Sequence, residues 1–191
     1  MRVVEVISSF TITLVEMNDN FDADYLNPKD LQAQVSHIHI SGYINPNNEG
    51  DEDGNPPTNH WAAFLQFGDT GSVRIDMAPG YGDDGLRGKI DISSKSYTST
   101  NNAIKTLTFT VEAYATVQTI TELSILNGHD RYMFTEEWEG CRFWIYTFIE
   151  DLESAGLISE GSGQTAWETV SLYWQNPSGS EPRQILQGEF Y

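Results

Sequence analysis

Apolar and polar residues alternate in a series of short stretches that opens the chain. In residues 2–16, Phe10, Ile12 and Leu14 alternate with Thr11 and Thr13. A period of two marks a strand with one buried face. Residues 35–43 (VSHIHISGY) alternate again. Residues 59–67 (NHWAAFLQF) are mostly apolar and read as a central strand. After the turn Gly68-Asp69-Thr70-Gly71, residues 72–77 return with Val73, Ile75 and Met77 on one face and Arg74 and Asp76 on the other. The two segments together predict a β-hairpin. Residues 89–97 and 101–115 predict two further strands, the second with Leu107, Phe109 and Val111 on one face. The glycine-rich stretch 78–88, between residues 72–77 and 89–97, reads as a flexible loop that could serve as a lid.

The period then changes. Val117, Ile120, Leu123 and Leu126 recur about one helical turn apart, with Thr116 or Thr119 near the N-cap and Asn127-Gly128 as the stop signal. A short strand is expected at 131–135. Cys141 opens a helix that runs to residue 155, with Phe143, Trp144, Phe148 and Leu152 on its apolar stripe. Residues 161–163 read as a break, residues 165–174 as a last helix, and residues 176–191 as a tail of uncertain order. Residues 28–34 predict a short helix. Strands followed by helix, strand and helix predict an α+β fold, an antiparallel sheet flanked by helices.

The length, 191 residues, fits one domain spanning 1–191 and allows a sizeable core. No apolar run approaches the roughly 20 residues that cross a bilayer, and the first residues carry no long apolar segment of a signal peptide. Charge changes the picture more. Lys and Arg total 10 against 28 Asp and Glu, a formal net charge of −18. Nucleic-acid binding needs clustered cations, so no nucleic-acid partner is expected, and an anionic membrane surface would repel the chain. Part of the acidity, four of the 28 acids, falls in residues 44–58 (INPNNEGDEDGNPPT), expected to be a mobile acidic loop. These residues lack the spacing of a calcium loop. The single cysteine, Cys141, forbids an intrachain disulfide and suggests a reducing, cytoplasmic location.

Three groups of residues could carry chemistry. Cys141 stands where a glycine turn feeds a helix. There the unpaired N–H groups and the helix dipole favour a thiolate. A thiol nucleophile also needs a base and a group that orients the base. His60 opens the central strand, and Asp76 lies on the returning arm of the same hairpin. Packing as a small buried apolar group is the alternative use of the cysteine. His37 and His39 share one strand face and could reach one metal, but no Glu follows closely as in cupin-type sites. Exposed polar side chains on a wet face are the plainer account. No metal or other cofactor is expected. His129-Asp130-Arg131 reads as a polar turn. Among the aromatic residues, Trp61, Trp138, Phe143 and Trp144 are candidates for the lining of a substrate pocket.

His60-Trp61-Ala62 followed by Asp76-Met77-Ala78-Pro79 resembles the His-Trp-Ala … His-Leu-Ala-Pro pattern of the lecithin–retinol acyltransferase family, in the circularly permuted NlpC-type branch of papain-like folds. The order of helix, short strand and Cys-led helix is similar too, over residues 59–156. The resemblance implies Cys141 as nucleophile, His60 as base and Asp76 in the orienting position, where that family has His. Gly140 stands where it often has Asn. The membrane anchor of the acyltransferases is not visible in this sequence. The chain also resembles an uncharacterised fungal domain family with the pattern Asn-His-Trp … Gly-Ser-Val-Arg-Ile-Asp-Met … Gly-Cys-Arg-Phe-Trp-Ile. The expected function is cysteine-dependent acyl transfer or amide/ester hydrolysis on a small, largely neutral or apolar substrate. The alternative is a non-catalytic small-molecule-binding or accessory protein on the same fold. A metal enzyme using His37 and His39 is the outsider.

Overall fold

The structure, a computed structural model, describes residues 19–45, 48, 50 and 56–191. The strand expected at 2–16 and most of the acidic stretch 44–58 lie outside the described residues. The chain folds as α+β around a curled, mainly antiparallel sheet, with strand order β10-β7-β5-β4-β3-β2-β6. The strands are β1 (Phe21–Asp22), β2 (His37–Ile44), β3 (Asn59–Phe67), β4 (Gly71–Tyr81), β5 (Arg87–Lys95), β6 (Lys105–Thr110), β7 (Tyr132–Met133) and β10 (Glu189–Phe190). One pairing departs from the expected antiparallel pattern: β1, in a stretch that reads as turns, runs parallel beside β5. A separate ribbon pairs β8 (Leu172–Trp174) with β9 (Ser180–Pro182). Three helices follow the main strands: α1 (Val117–Leu126), α2 (Cys141–Ser154) and α3 (Ser162–Val170).

The period-two pattern decides the two faces of the sheet. Ile38 and Ile40 of β2, Trp61, Ala63 and Leu65 of β3, Val73, Ile75 and Met77 of β4, and Ile90 and Ile92 of β5 are all buried in one apolar cluster. Trp144, Ile145, Phe148, Ile149 and Leu152 of α2 join the same cluster, and α2 packs against β3, β4 and α3. Each fully buried Leu, Ile or Phe contributes about 1.5–3 kcal/mol relative to exposure. The opposite face carries His37, His39, Ser41 and Tyr43 of β2, His60, Ala62, Phe64 and Gln66 of β3, and Ser72, Arg74 and Asp76 of β4, paired across the strands.

Local chemistry sets the helix ends. Thr116 caps α1 through a capping box: its Oγ1 accepts from the Thr119 amide at 3.1 Å, and Thr119 Oγ1 accepts from the Thr116 amide at 3.4 Å. Helix α3 starts earlier than expected, inside the Gly161–Gly163 break. The Glu153 carboxylate at the end of α2 accepts from the amides of Gly161 and Gly163 at 3.0 and 2.6 Å and so satisfies the first turn. Those bonds hold the Glu153 carboxyl below the usual carboxylate range. The helix expected at 28–34 is a 3-10 turn, Pro28–Gln32. The loop expected at 78–88 shrinks, because β4 continues past an irregularity between Ala78 and Tyr81 and β5 begins at Arg87. Pro79 sits at that irregularity, where its missing N–H costs no ladder bond.

Residues 176–191 contribute β9 and β10 and are tied to the body by one buried cation. Arg142 of α2 donates to the carbonyls of Val170 (3.4 Å), Arg183 (3.3 Å) and Gln184 (2.6 Å), and pairs with the Glu139 carboxylate at 2.8 Å. Asn59 does similar work at the start of β3: its side-chain amide donates to the carbonyls of Tyr43 and Trp174 and accepts from the Trp174 amide at 2.6 Å. Removing one member of a buried charged network leaves the others unpaired. Arg142→Met is therefore expected to cost ~3 kcal/mol in urea unfolding, and to expose the chain after residue 183 to limited proteolysis. An unchanged midpoint and an uncut tail would refute this role for Arg142.

Candidate active site

The site forms where the start of α2 meets the N-terminal end of β3. Gly140 precedes the helix at φ 154°, and a Cβ there would lie 2.9 Å from the ring and hydroxyl of Tyr132. Only glycine fits here. Tyr132 Oη donates to the Gly140 carbonyl at 2.9 Å and accepts from the Gly188 amide at 3.0 Å. No side chain caps this helix start. A helix N-terminus leaves its first backbone N–H groups without intrahelical partners, a setting that favours an anion.

Cys141 is the first residue of α2 and is 8% exposed. Its Sγ lies 3.8 Å from the carbonyl oxygen of Asn59, and its side chain neighbours that of His60, whose pKa it helps to raise. The His60 side chain is 23% exposed, so one edge of the ring faces solvent. Its Nε2 is 2.6 Å from Asp76 Oδ1. With Nε2 committed to the carboxylate, Nδ1 is the nitrogen left for the sulfur. Asp76 is engaged on both oxygens, because Oδ2 pairs with the Arg74 guanidinium. The hairpin β3–β4 places His60, Arg74 and Asp76 on one face, as their alternation predicts.

Electrostatics couple the three side chains. Burial opposes charge on His60 most strongly, but the charge and hydrogen bond of Asp76, together with the thiol, outweigh it and hold the imidazole well above its ordinary pKa. Burial likewise opposes charge on Asp76. His60 and then Arg74 overcome it and hold the carboxyl below the usual carboxylate range. Asp76 thus lies between two cationic partners, Arg74 on one oxygen and His60 on the other, with Cys141 beyond the imidazole.

A cavity of about 280 Å³ opens at Cys141 and His60. Ile44, Ala78, Pro79, Phe134 and Trp138 form its apolar walls, with Asn45, Asn48 and Glu137 as polar groups. Of the four aromatic residues expected in a pocket, only Trp138 lines this one. Trp138 is 52% exposed and adopts φ 59°, rare for a bulky side chain. It is held in a tight turn by its amide bond to the Thr135 carbonyl at 2.9 Å. Trp61 points to the apolar face, where its indole covers Gly42 so closely that a Cβ would come within 2.8 Å. Trp144 stacks on Phe148 in the core and donates to the His129 carbonyl at 2.8 Å. Phe143 packs against Tyr146 and Phe190.

The other histidines do not line this cavity. The face that carries His39 is buried rather than wet: Nδ1 is 2.8 Å from Thr108 Oγ1 and Nε2 is 2.7 Å from Gln66 Oε1. His37 stacks beside it. Among the described residues no group of three His, Cys, Asp or Glu side chains could hold a metal ion. His129, in a stretch that reads as a polar turn, is 2% exposed. It packs edge-on against Trp144, Phe148 and Phe190 and bonds Asp151 at 2.7 Å. Arg74 is the site residue that the sequence reading passed over. Its signal was present: it shares a strand face with Asp76, two residues away.

Residues 38–191 match a family described as Domain of unknown function (DUF7770). The chain belongs to this DUF7770 family. No curated protein and no solved structure matches the chain. The matched region begins within β2 and contains Cys141, His60, Asp76 and Arg74. No helix among the described residues is long and apolar enough to cross a membrane.

The linked charges predict a pH window for stability. The folded pKa of Asp76 lies below its ordinary 3.8, so its contribution is complete above that value and is lost as pH falls through the folded pKa. The folded pKa of His60 lies above its ordinary 6.5, so its contribution is complete below 6.5 and is lost as pH rises through the folded pKa. The stability advantage of the wild type over His60→Gln is expected to be largest between about pH 4 and 6.5 and to shrink at higher pH. Thermal unfolding across that range measures it, and an advantage that grows with pH would contradict the assignment.

Proposed function

We propose that the protein is a cysteine-dependent acyltransferase or amide/ester hydrolase of the permuted NlpC-type, papain-like kind. The observation that carries this reading is a cavity lined by both Cys141, at a helix start, and His60, whose ring is bonded to Asp76. Cys141 is the nucleophile. A protonated His60 beside the sulfur favours a thiolate–imidazolium pair. Sγ adds to the substrate carbonyl, and N–H groups of the first turn of α2, that of Cys141 among them, donate to the developing oxyanion. As the tetrahedral species collapses, His60 gives its proton to the leaving amine or alcohol, and a thioester remains on Cys141. Water or an acceptor amine then attacks the thioester. His60 takes its proton, and the thiolate departs with the acyl product released. Asp76 fixes the ring orientation and stabilises the imidazolium. Arg74 holds Asp76 in place from the far side.

The cavity supports a small substrate. Its volume, about 280 Å³, lies near the lower end of ligand pockets, and its walls are mostly apolar. A small acyl group with a neutral leaving group fits that chemistry better than a long chain. The order of elements also agrees with the resemblance: a His-bearing strand, a returning strand with the orienting residue, then a short strand and the Cys-led helix.

A second reading has its own observation. Cys141 is nearly buried and its thiol can donate to the Asn59 carbonyl. In that reading the thiol packs and the cavity binds a small neutral molecule without a covalent step. Iodoacetamide separates the two. The catalytic reading expects rapid alkylation of native protein well below pH 8, slowed at least about tenfold in His60→Ala. Trapping of an acyl group on Cys141 by an activated ester, seen as a mass increase, is expected alongside. A thiol inert until the protein is denatured would sink the catalytic reading and leave the binding one.

A further inference from the structure

His60 has a second neighbour space on the polar face of the sheet. There Tyr43, His60, Arg74, Lys95, Tyr97 and Thr100 surround a cavity of about 230 Å³. Its position follows from strand register. Ser72 pairs with Lys95 and Arg74 with Ser93 between β4 and β5, so the two cations are diagonal neighbours on one face. Tyr43 pairs with His60 between β2 and β3.

The charge distribution here is unusual for this protein. The chain has 28 acids and 10 Lys and Arg, yet the cavity is lined by two of those cations and by no acid. Asp76, the nearest carboxylate to Arg74, is 8% exposed and spends one oxygen on His60 and the other on Arg74. Lys95 has no ion-pair partner among the described residues. Arg74 uses one Nη on Asp76 and keeps further N–H donors of its fork. Tyr43 and Thr100 both line the recess, and burial pushes the Tyr43 phenol up, so it keeps its proton and its capacity to donate.

We propose that this cavity is a binding site for a small oxyanion, a phosphoryl or carboxylate group held between the Arg74 guanidinium and the Lys95 ammonium, with hydroxyl donors from its rim. Arg and Lys in one recess match the forked and point-charge modes of oxyanion recognition. Strong net negative charge elsewhere makes a concentrated positive recess selective, because anions are repelled everywhere except there. The inference is independent of whether Cys141 reacts, since the oxyanion touches none of the groups that would bond to an acyl carbon. Arg74 joins the two sites physically: it contacts Asp76 on one side and the bound anion on the other.

The test uses the full chain and two probes, inorganic phosphate and acetate, at constant ionic strength set with sodium chloride. Isothermal titration and thermal unfolding are the readouts. Saturable binding and a rise in Tm with at least one probe are expected, and the tighter of the two identifies the group. Lys95→Met is expected to weaken binding roughly tenfold. Lys29→Met, which removes an exposed cation elsewhere, is expected to leave it unchanged. Absence of saturable binding by both probes would overturn the proposal. So would equal weakening by the two variants, which would mean general charge screening. A folded Lys95→Met protein is confirmed by an unchanged unfolding midpoint without probe. Should that variant unfold, Thr100→Val supplies the same comparison through a rim hydroxyl. Iodoacetamide reactivity of Cys141 is measured separately, so failure of the oxyanion site and failure of the thiol chemistry are distinct results.

Discussion

The hydroxyl of Tyr132 sets where helix α2 can begin. It donates to the Gly140 carbonyl and accepts from the Gly188 amide, so one buried phenol joins the helix start to the last segment of the chain. Its ring leaves no room for a side chain at Gly140. Three consequences follow. The N-cap residue is a glycine, so no N-cap side chain bonds the first amides of α2. Cys141 is presented at the Asn59 end of β3, beside His60. Arg142, the next residue, is left to anchor residues 183 and 184 through their carbonyls. The motif Gly-Cys-Arg is therefore three adjacent solutions to one packing problem.

The second organising feature is a carboxylate with two cationic partners. Asp76 would be costly to bury as a lone charge, several kcal/mol in a low-dielectric setting. His60 on one oxygen and Arg74 on the other remove that cost. The same arrangement raises the imidazole pKa and orders its ring. Arg74 also turns the far side of the pair into a positive recess, in a chain whose total charge is −18. Two cavities thus flank one histidine, a mostly apolar one at the thiol and a cationic one behind it.

Much of this was legible in residue order. Alternation in residues 59–67 and 72–77 assigned His60, Arg74 and Asp76 to the same face. Thr116 and Gly156 marked helix ends where the structure has them. The misreadings share one cause. His129 reads as part of a polar turn and His39 as part of a wet strand face, yet both are buried, because distant side chains satisfy them: Asp151 in one case, Thr108 and Gln66 in the other. The start of α3 was misplaced because its cap is Glu153, on another helix. Trp61 and Trp144 were candidates for a pocket, but their strand and helix faces turn into the core.

Local periodicity determined the α+β class, the two faces of the hairpin and the helical start at Cys141, because backbone geometry alone fixes which way successive side chains point. Tertiary structure decided that this helix start meets the His60 end of β3, that Arg74 closes the Asp76 carboxylate, and that a cationic recess lies behind the imidazole. Those are distances between segments far apart in sequence. They are set by packing against a shared core and by the pairing of buried charges, which no window of neighbouring residues contains.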